Sequence, residues 1–160
     1  MTNPFKSLAL LTTVLVAFVQ PWTAYGTEAR EAGKSVMTAK KPVGIVWEKD
    51  LNTALRKARA SGKPLLVDFY TDWCVWCKRL DQDVFAHPTI NRQLKQRAVF
   101  LKVNPERSKQ ESAFSRMYTS GALPTVLVIK SDATGKLTVK GRIEQYLPPE
   151  RFLTEILNFL

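Results

Sequence analysis

Apolar positions follow two alternating spacings along residues 45–160, and each change of spacing marks the boundary of an element. Leu51, Leu55 and Ala58 recur at helical steps. Asp50 stands ahead of them as an N-cap, and Ser61-Gly62-Lys63-Pro64 follows as a stop. Leu65 to Tyr70 is a near-continuous apolar, β-favouring run, as suits a parallel strand covered on both faces. Helical spacing resumes at Cys77, Leu80, Val84 and Phe85. Ala86-His87-Pro88 breaks it, and Thr89 is expected to cap a short helix through Ile90 and Leu94. Ala98 to Val103 predicts a strand that Asn104-Pro105 ends. Ser108 to Tyr118 reads as a helix with Ala113, Phe114, Met117 and Tyr118 turned inward; plain core packing accounts for Met117 and Tyr118. A β run from Thr125 to Ile129 leads into a turn at Ser131 to Gly135, and Lys136 to Lys140 alternates like a half-buried antiparallel strand. Pro148-Pro149-Glu150 opens the last helix, with Phe152, Leu153, Ile156 and Leu157 available to the core.

This order predicts an α/β fold. Long helical crossovers imply parallel strand pairs, and the last short turn implies an antiparallel one. The result is a mixed sheet with helices on both faces, in a domain over 45–160 that Trp47 opens. Residues 1–26 read as a secretory signal: Lys6 is the positive start, Leu8 to Val19 a short apolar run, Pro21 its break, and Ala24-Tyr25-Gly26 the small-residue cleavage site. The alternative is an uncleaved membrane anchor, although the run is short for a bilayer span. A lipoprotein anchor is not expected, because no cysteine follows the run. Residues 27–44 are polar and charged and read as a flexible linker. Lys34, Lys40 and Lys41 give it charge for weak contact with a membrane surface, though a solvated tail is the simpler reading. A signal of this kind leads to the expectation of an exported protein, with the bacterial periplasm as the expected compartment.

Composition changes this picture little. The 160 residues suit one domain, and 45% hydrophobic with 24% charged residues is ordinary for a globular protein. The net charge of +10 favours acidic partners or an anionic membrane. Nucleic acid is not an expected partner: the basic residues are scattered, with no aromatic ladder or reading helix. The two cysteines share one motif, leaving none for a structural disulfide framework. No metal site is expected, since two cysteines and the single His87 leave a closed tetrahedral site short of a ligand. His87 follows the helix at a turn and is not a catalytic candidate.

The chemistry gathers at Val67-Asp68-Phe69-Tyr70-Thr71-Asp72-Trp73-Cys74-Val75-Trp76-Cys77-Lys78, where the strand hands over to the helix. Two thiols there lie within one helical turn. Cys74 faces the unpaired N–H groups of the helix start, whose partial positive charge favours a thiolate. Cys77 lies one turn further in and is expected to be less exposed. A Cys74 thiolate would attack a substrate disulfide, and Cys77 would resolve the mixed disulfide. Asp68 stands inside the apolar strand. A buried carboxylate there becomes an acid of raised pKa; the alternative is an edge or solvent-facing position, which its apolar neighbours disfavour.

Asp68, Trp73, Cys74, Cys77 and Lys78, then Lys102-Val103-Asn104 and Gly121-Ala122-Leu123-Pro124-Thr125, together resemble the thioredoxin superfamily. The wider wording is similar to its secreted thioredoxin-like reductases, including the C-terminal domain of Dsb-type disulfide reductases. It comprises Ile45-Val46-Trp47, Lys63-Pro64, Phe85, Tyr146 and Pro149-Glu150-Arg151-Phe152. The resemblance covers Val46 to Leu160 and implies a thioredoxin fold. It implies that Asp68 lies beneath the cysteines and exchanges a proton with the resolving thiol, with Lys102 near that acid. It implies a cis peptide bond before Pro124 where spacing alone also allows a trans proline at a strand start. A cis proline presents the neighbouring backbone to a substrate peptide, which can add as a strand. Trp73, Trp76, Leu123, Pro124 and Thr125 are then the substrate-binding candidates, and Cys74, Cys77, Asp68 and Lys102 the catalytic ones.

The resemblance implies a protein-disulfide oxidoreductase that needs no cofactor beyond its own dithiol. Its partners would be disulfide-bearing proteins and a membrane dithiol electron donor. Val75-Trp76 lies between the cysteines without the histidine often found in oxidants, which leans towards a reductant. Trp76 departs from the cytosolic thioredoxin pattern, and its bulk reshapes the docking surface. The competing expectation is a peptide-binding or chaperone-like module of the same fold that uses the exposed Trp73 and Trp76 without redox turnover.

Overall fold

The computed structural model describes residues 44–160. The expected signal segment, nearly all of the linker and the basic residues Lys34, Lys40 and Lys41 lie outside it. A two-residue strand, β1 (Trp47–Glu48), precedes helix α1 (Leu51–Ser61). Asp50 caps α1 by accepting the Thr53 N–H at 2.7 Å, and Gly62 ends it in the left-handed region at φ 66°. The apolar run becomes β2 (Leu65–Phe69), buried at every position. Helix α2 (Val75–Arg79) widens into a π-helical stretch over Leu80–Phe85, closed by the Ala86 N–H donating to the Asp81 carbonyl. Then come α3 (Pro88–Leu94), β3 (Val99–Val103), α4 (Lys109–Tyr118), β4 (Thr125–Ser131), β5 (Leu137–Ile143) and α5 (Pro149–Leu157).

The five strands form one mixed sheet in the order β1-β3-β2-β4-β5. β3 runs parallel to β1 and β2; β4 runs antiparallel to β2 and β5. Alternation along β2 divides its side chains between two cores. Leu66 joins Leu80, Val84, Phe85, Phe100 and Phe152 on one face. Leu65, Val67 and Phe69 join Ala54, Leu101 and Phe114 on the other. The same alternation turns Asp68 towards the face covered by the cysteine-bearing helix.

Three expectations are corrected. Thr89 does not cap α3: His87 is the N-cap, without a side-chain cap bond, and Pro88 takes the first turn, where no N–H is needed. Asn91 ties this corner instead, accepting the Ile45 N–H at 2.6 Å and donating to the Phe85 carbonyl. Met117 is 72% exposed and Ala113 is also at the surface. The inward arc of α4 centres on Phe114, Ser115 and the half-buried Tyr118, and at about 100° per residue Met117 falls well outside it. β1 was not anticipated, because two residues cannot show a period.

The C-terminal turn is held by a close approach. A Cβ added at Gly141 on β5 would lie 2.1 Å from the Phe159 ring. Gly141→Ala should therefore destabilise the fold by about 1–3 kcal/mol, read as a lower thermal midpoint. On a Phe159→Ala background the same change should cost far less, because the clash has gone. Additive losses would contradict this packing.

Candidate active site

Cys74 and Cys77 are joined as a disulfide with Cα atoms 5.3 Å apart. Cys74 is the N-cap of α2, and its Sγ accepts the Cys77 N–H at 3.1 Å. That contact places the first sulfur against the electropositive helix start. In this oxidised form both residues are buried, Cys74 at 5% exposure and Cys77 at 2%. Around them Trp73 is 67% exposed and Trp76 52%. The Trp73 indole N–H donates to Glu106 Oε1 at 2.9 Å.

Asp68 is 1% exposed. Lys102 lies beside it in the β2–β3 register and donates from Nζ to Asp68 Oδ2 at 2.8 Å. The same ammonium donates to Asp81 Oδ1 on the π-helical stretch at 2.5 Å. It also sits 4.8 Å from the Tyr70 ring centroid and 5.0 Å from that of Trp47. The second Asp68 oxygen, Oδ1, is buried without a hydrogen-bond partner among the described residues. Burial pushes the Asp68 pKa up from 3.8 to about 6, against the pull of the Lys102 charge and its hydrogen bond. For Lys102, burial pulls downward, and the two carboxylates outweigh it to raise its pKa. Asp81 was missed in the sequence. Its signal was there: it lies four residues after Cys77, a spacing that brings helix side chains to one face.

The peptide bond from Leu123 to Pro124 is cis. Antiparallel pairing of Phe69 with Thr125 carries the start of β4 to the end of β2 that leads to Cys74. Leu123 and Pro124 thereby line one groove with Trp76, together with Glu144, Gln145 and Tyr146. The Thr125 side chain is fully buried and donates from Oγ1 to the Ala122 carbonyl at 2.7 Å, bracing the loop from inside. Trp73 is tied to Glu106 and is not among the residues lining the groove. Tyr146 and Arg79 flank Trp76, and Asp83 contacts both of them; none of the three was read as a site residue from the sequence.

A helix-capping dithiol on this mixed sheet defines the class: thioredoxin-like disulfide oxidoreductases. Residues 46–131 match the family model described as Thioredoxin-like, and the chain belongs to that family. Among curated relatives, the thiol:disulfide interchange protein DsbD of Cronobacter sakazakii is 34% identical over 112 residues, covering 69% of this chain and 19% of its own length. The chain thus spans about a fifth of that relative. A solved thioredoxin from Thermus thermophilus superposes with a TM-score of 0.64 at 25% identity, covering 71% of this chain and 85% of that one. The oxidised DsbD C-terminal domain of Neisseria meningitidis shares the fold, with a TM-score of 0.58 at 19% identity, 72% of this chain and 100% of that one.

Asp68 binds its proton more tightly folded than unfolded, so its contribution to stability falls as pH rises from 3.8 through about 6. The difference corresponds to about 3 kcal/mol. Urea unfolding of the oxidised protein should show that loss between about pH 4 and pH 7. Asp68→Asn should remove this part of the slope; an unchanged slope would put the titration elsewhere.

Proposed function

We propose that the chain is an exported thiol–disulfide oxidoreductase that reduces disulfides of secreted proteins. The observation that carries this reading is the Cys74 sulfur seated as the cap of α2, accepting the Cys77 N–H. In the reduced protein that seat favours a Cys74 thiolate. The thiolate attacks one sulfur of a substrate disulfide, forming the mixed disulfide and releasing the other sulfur as a thiolate that takes up a proton. Cys77 then loses its proton and attacks Cys74 Sγ. The second substrate sulfur leaves, and the Cys74–Cys77 disulfide seen in the structure forms. Two electrons have passed to the substrate.

Asp68 is suited to take the Cys77 proton. Its pKa near 6 lets it accept and return a proton around neutral pH, and among the described residues Oδ1 has no partner. Lys102 holds the other oxygen and steadies the ionised form. Leu123, Pro124 and Trp76 receive the substrate segment alongside the sulfurs. An exported reductant works where disulfides are favoured and needs an electron supply. A membrane dithiol donor fits that need, in keeping with relatives named for thiol:disulfide interchange. Membrane-surface contact by the basic linker would assist the encounter.

The exposed Trp73 and Trp76 favour a second reading, a peptide-binding module of the same fold without turnover. Insulin reduction with dithiothreitol separates the two. The wild-type chain should accelerate it, and Cys74→Ser should abolish the acceleration. Cys77→Ser should accumulate mixed disulfides on Cys74, whose partners identify substrate and donor. Asp68→Asn should slow turnover by about 100-fold or more. If wild type and Cys74→Ser behave alike, the binding module is the better reading.

A further inference from the structure

We infer that Tyr146, Arg79 and Asp83 hold Trp76 as a fixed wall of the groove, and that this wall selects substrates with a large apolar side chain beside the reacting cysteine. The inference rests on the reductase reading above and names the substrate feature it takes. An exposed tryptophan on a helix ordinarily has several rotamers open to it. Here three groups remove that freedom. The Tyr146 ring lies 5.5 Å from the Trp76 ring, tilted by 38°. The Arg79 guanidinium sits 5.5 Å from the Trp76 centroid and 5.6 Å from that of Tyr146, within cation–π range of both. Asp83 anchors both partners through one oxygen: its Oδ2 accepts the Tyr146 hydroxyl at 3.0 Å and lies 3.4 Å from Arg79 Nε. Arg79 and Asp83 fall three and seven residues after Trp76, on the same side of their helix. Tyr146 arrives from the segment between β5 and α5.

The fixed ring faces Leu123 and Pro124 across the groove. The charges around this space are already matched. Arg79 meets Asp83, and Glu144 on the rim accepts from Ser120 at 3.1 Å and from Arg142 at 3.3 Å. Besides Glu144 and Gln145, what the groove offers an incoming chain is aromatic and aliphatic surface. Because the ring is ordered before binding, contact with it gains apolar burial without a further entropy cost to Trp76. An extended segment with phenylalanine, tyrosine, leucine or methionine beside its cysteine fits this surface; a charged residue at that place would have to compete with the Arg79–Asp83 and Arg142–Glu144 pairs.

Two disulfide-bonded peptides, identical except for Phe or Ala next to the cysteine, test the inference. The wild-type chain should reduce the Phe peptide with a kcat/KM about 10-fold higher or more, the difference lying in KM. Asp83→Ala and Tyr146→Phe should each lower that Phe-to-Ala ratio several-fold, again through KM. Trp76→Ala should bring it close to one. A wild-type ratio of one overturns the inference, as does a ratio that all three variants keep. A binding arm uses the same peptides with serine for cysteine, followed by tryptophan fluorescence in wild type and Trp76→Phe. Preferential binding of the Phe peptide without any reduction would sink the reductase reading and leave the groove standing. Reduction of insulin without preference would do the reverse.

Discussion

Asp68 carries a carboxylate into the middle of a sheet where every neighbour on its own strand is apolar and buried. Such a group is tolerated only when charge and hydrogen bonding offset its lost hydration. Lys102 supplies both, and much of the local structure serves to keep Lys102 there. Rings of Trp47, Tyr70 and Phe85 surround its ammonium, and Asp81 holds it from the helix above. The compensation is incomplete: among the described residues one Asp68 oxygen has no partner, and burial keeps the pKa near 6. Under the proposed mechanism, that incompleteness would suit the acid to proton exchange. A fully paired carboxylate would remain ionised across the whole working range of a thiol.

Strand order makes the site from distant pieces. β2 lies between β3 and β4, so its C-terminal end gathers Lys102 from one side and the Pro124 loop from the other. The helix that follows Cys74 packs Leu80, Val84 and Phe85 into the same core as Leu66. The dithiol, the acid and the loop are therefore bound to one rigid layer. The π-helical stretch is where the helix departs from a regular pattern, and both Asp81 and Asp83 lie on it. One faces Lys102 and the other faces Tyr146, so this stretch links the buried acid to the surface groove.

Much of this was legible in the residues. The cap at Asp50, the stop at Gly62, the strand at Leu65–Phe69 and the burial of Asp68 all follow from local rules, because each depends on neighbours within a turn or two. The cis bond before Pro124 came through family resemblance, since proline spacing alone fits either isomer. Thr89 misled because a threonine near a helix start is a good cap in general, while Pro88 had already taken the first turn. Met117 misled because an apolar residue at helical spacing does not reveal where a ten-residue helix centres its buried arc.

The sequence by itself determined the chemistry: which two sulfurs pair, that the first caps a helix, and that an acid lies on the strand before them. These follow from spacing and from the short range of helix and strand periodicity. The tertiary structure alone decided what surrounds them. Asp81 reaches Lys102 across 21 positions, and Tyr146 reaches Asp83 across 63. Such contacts depend on strand register and helix phase, which the whole packed core sets together and no local stretch encodes.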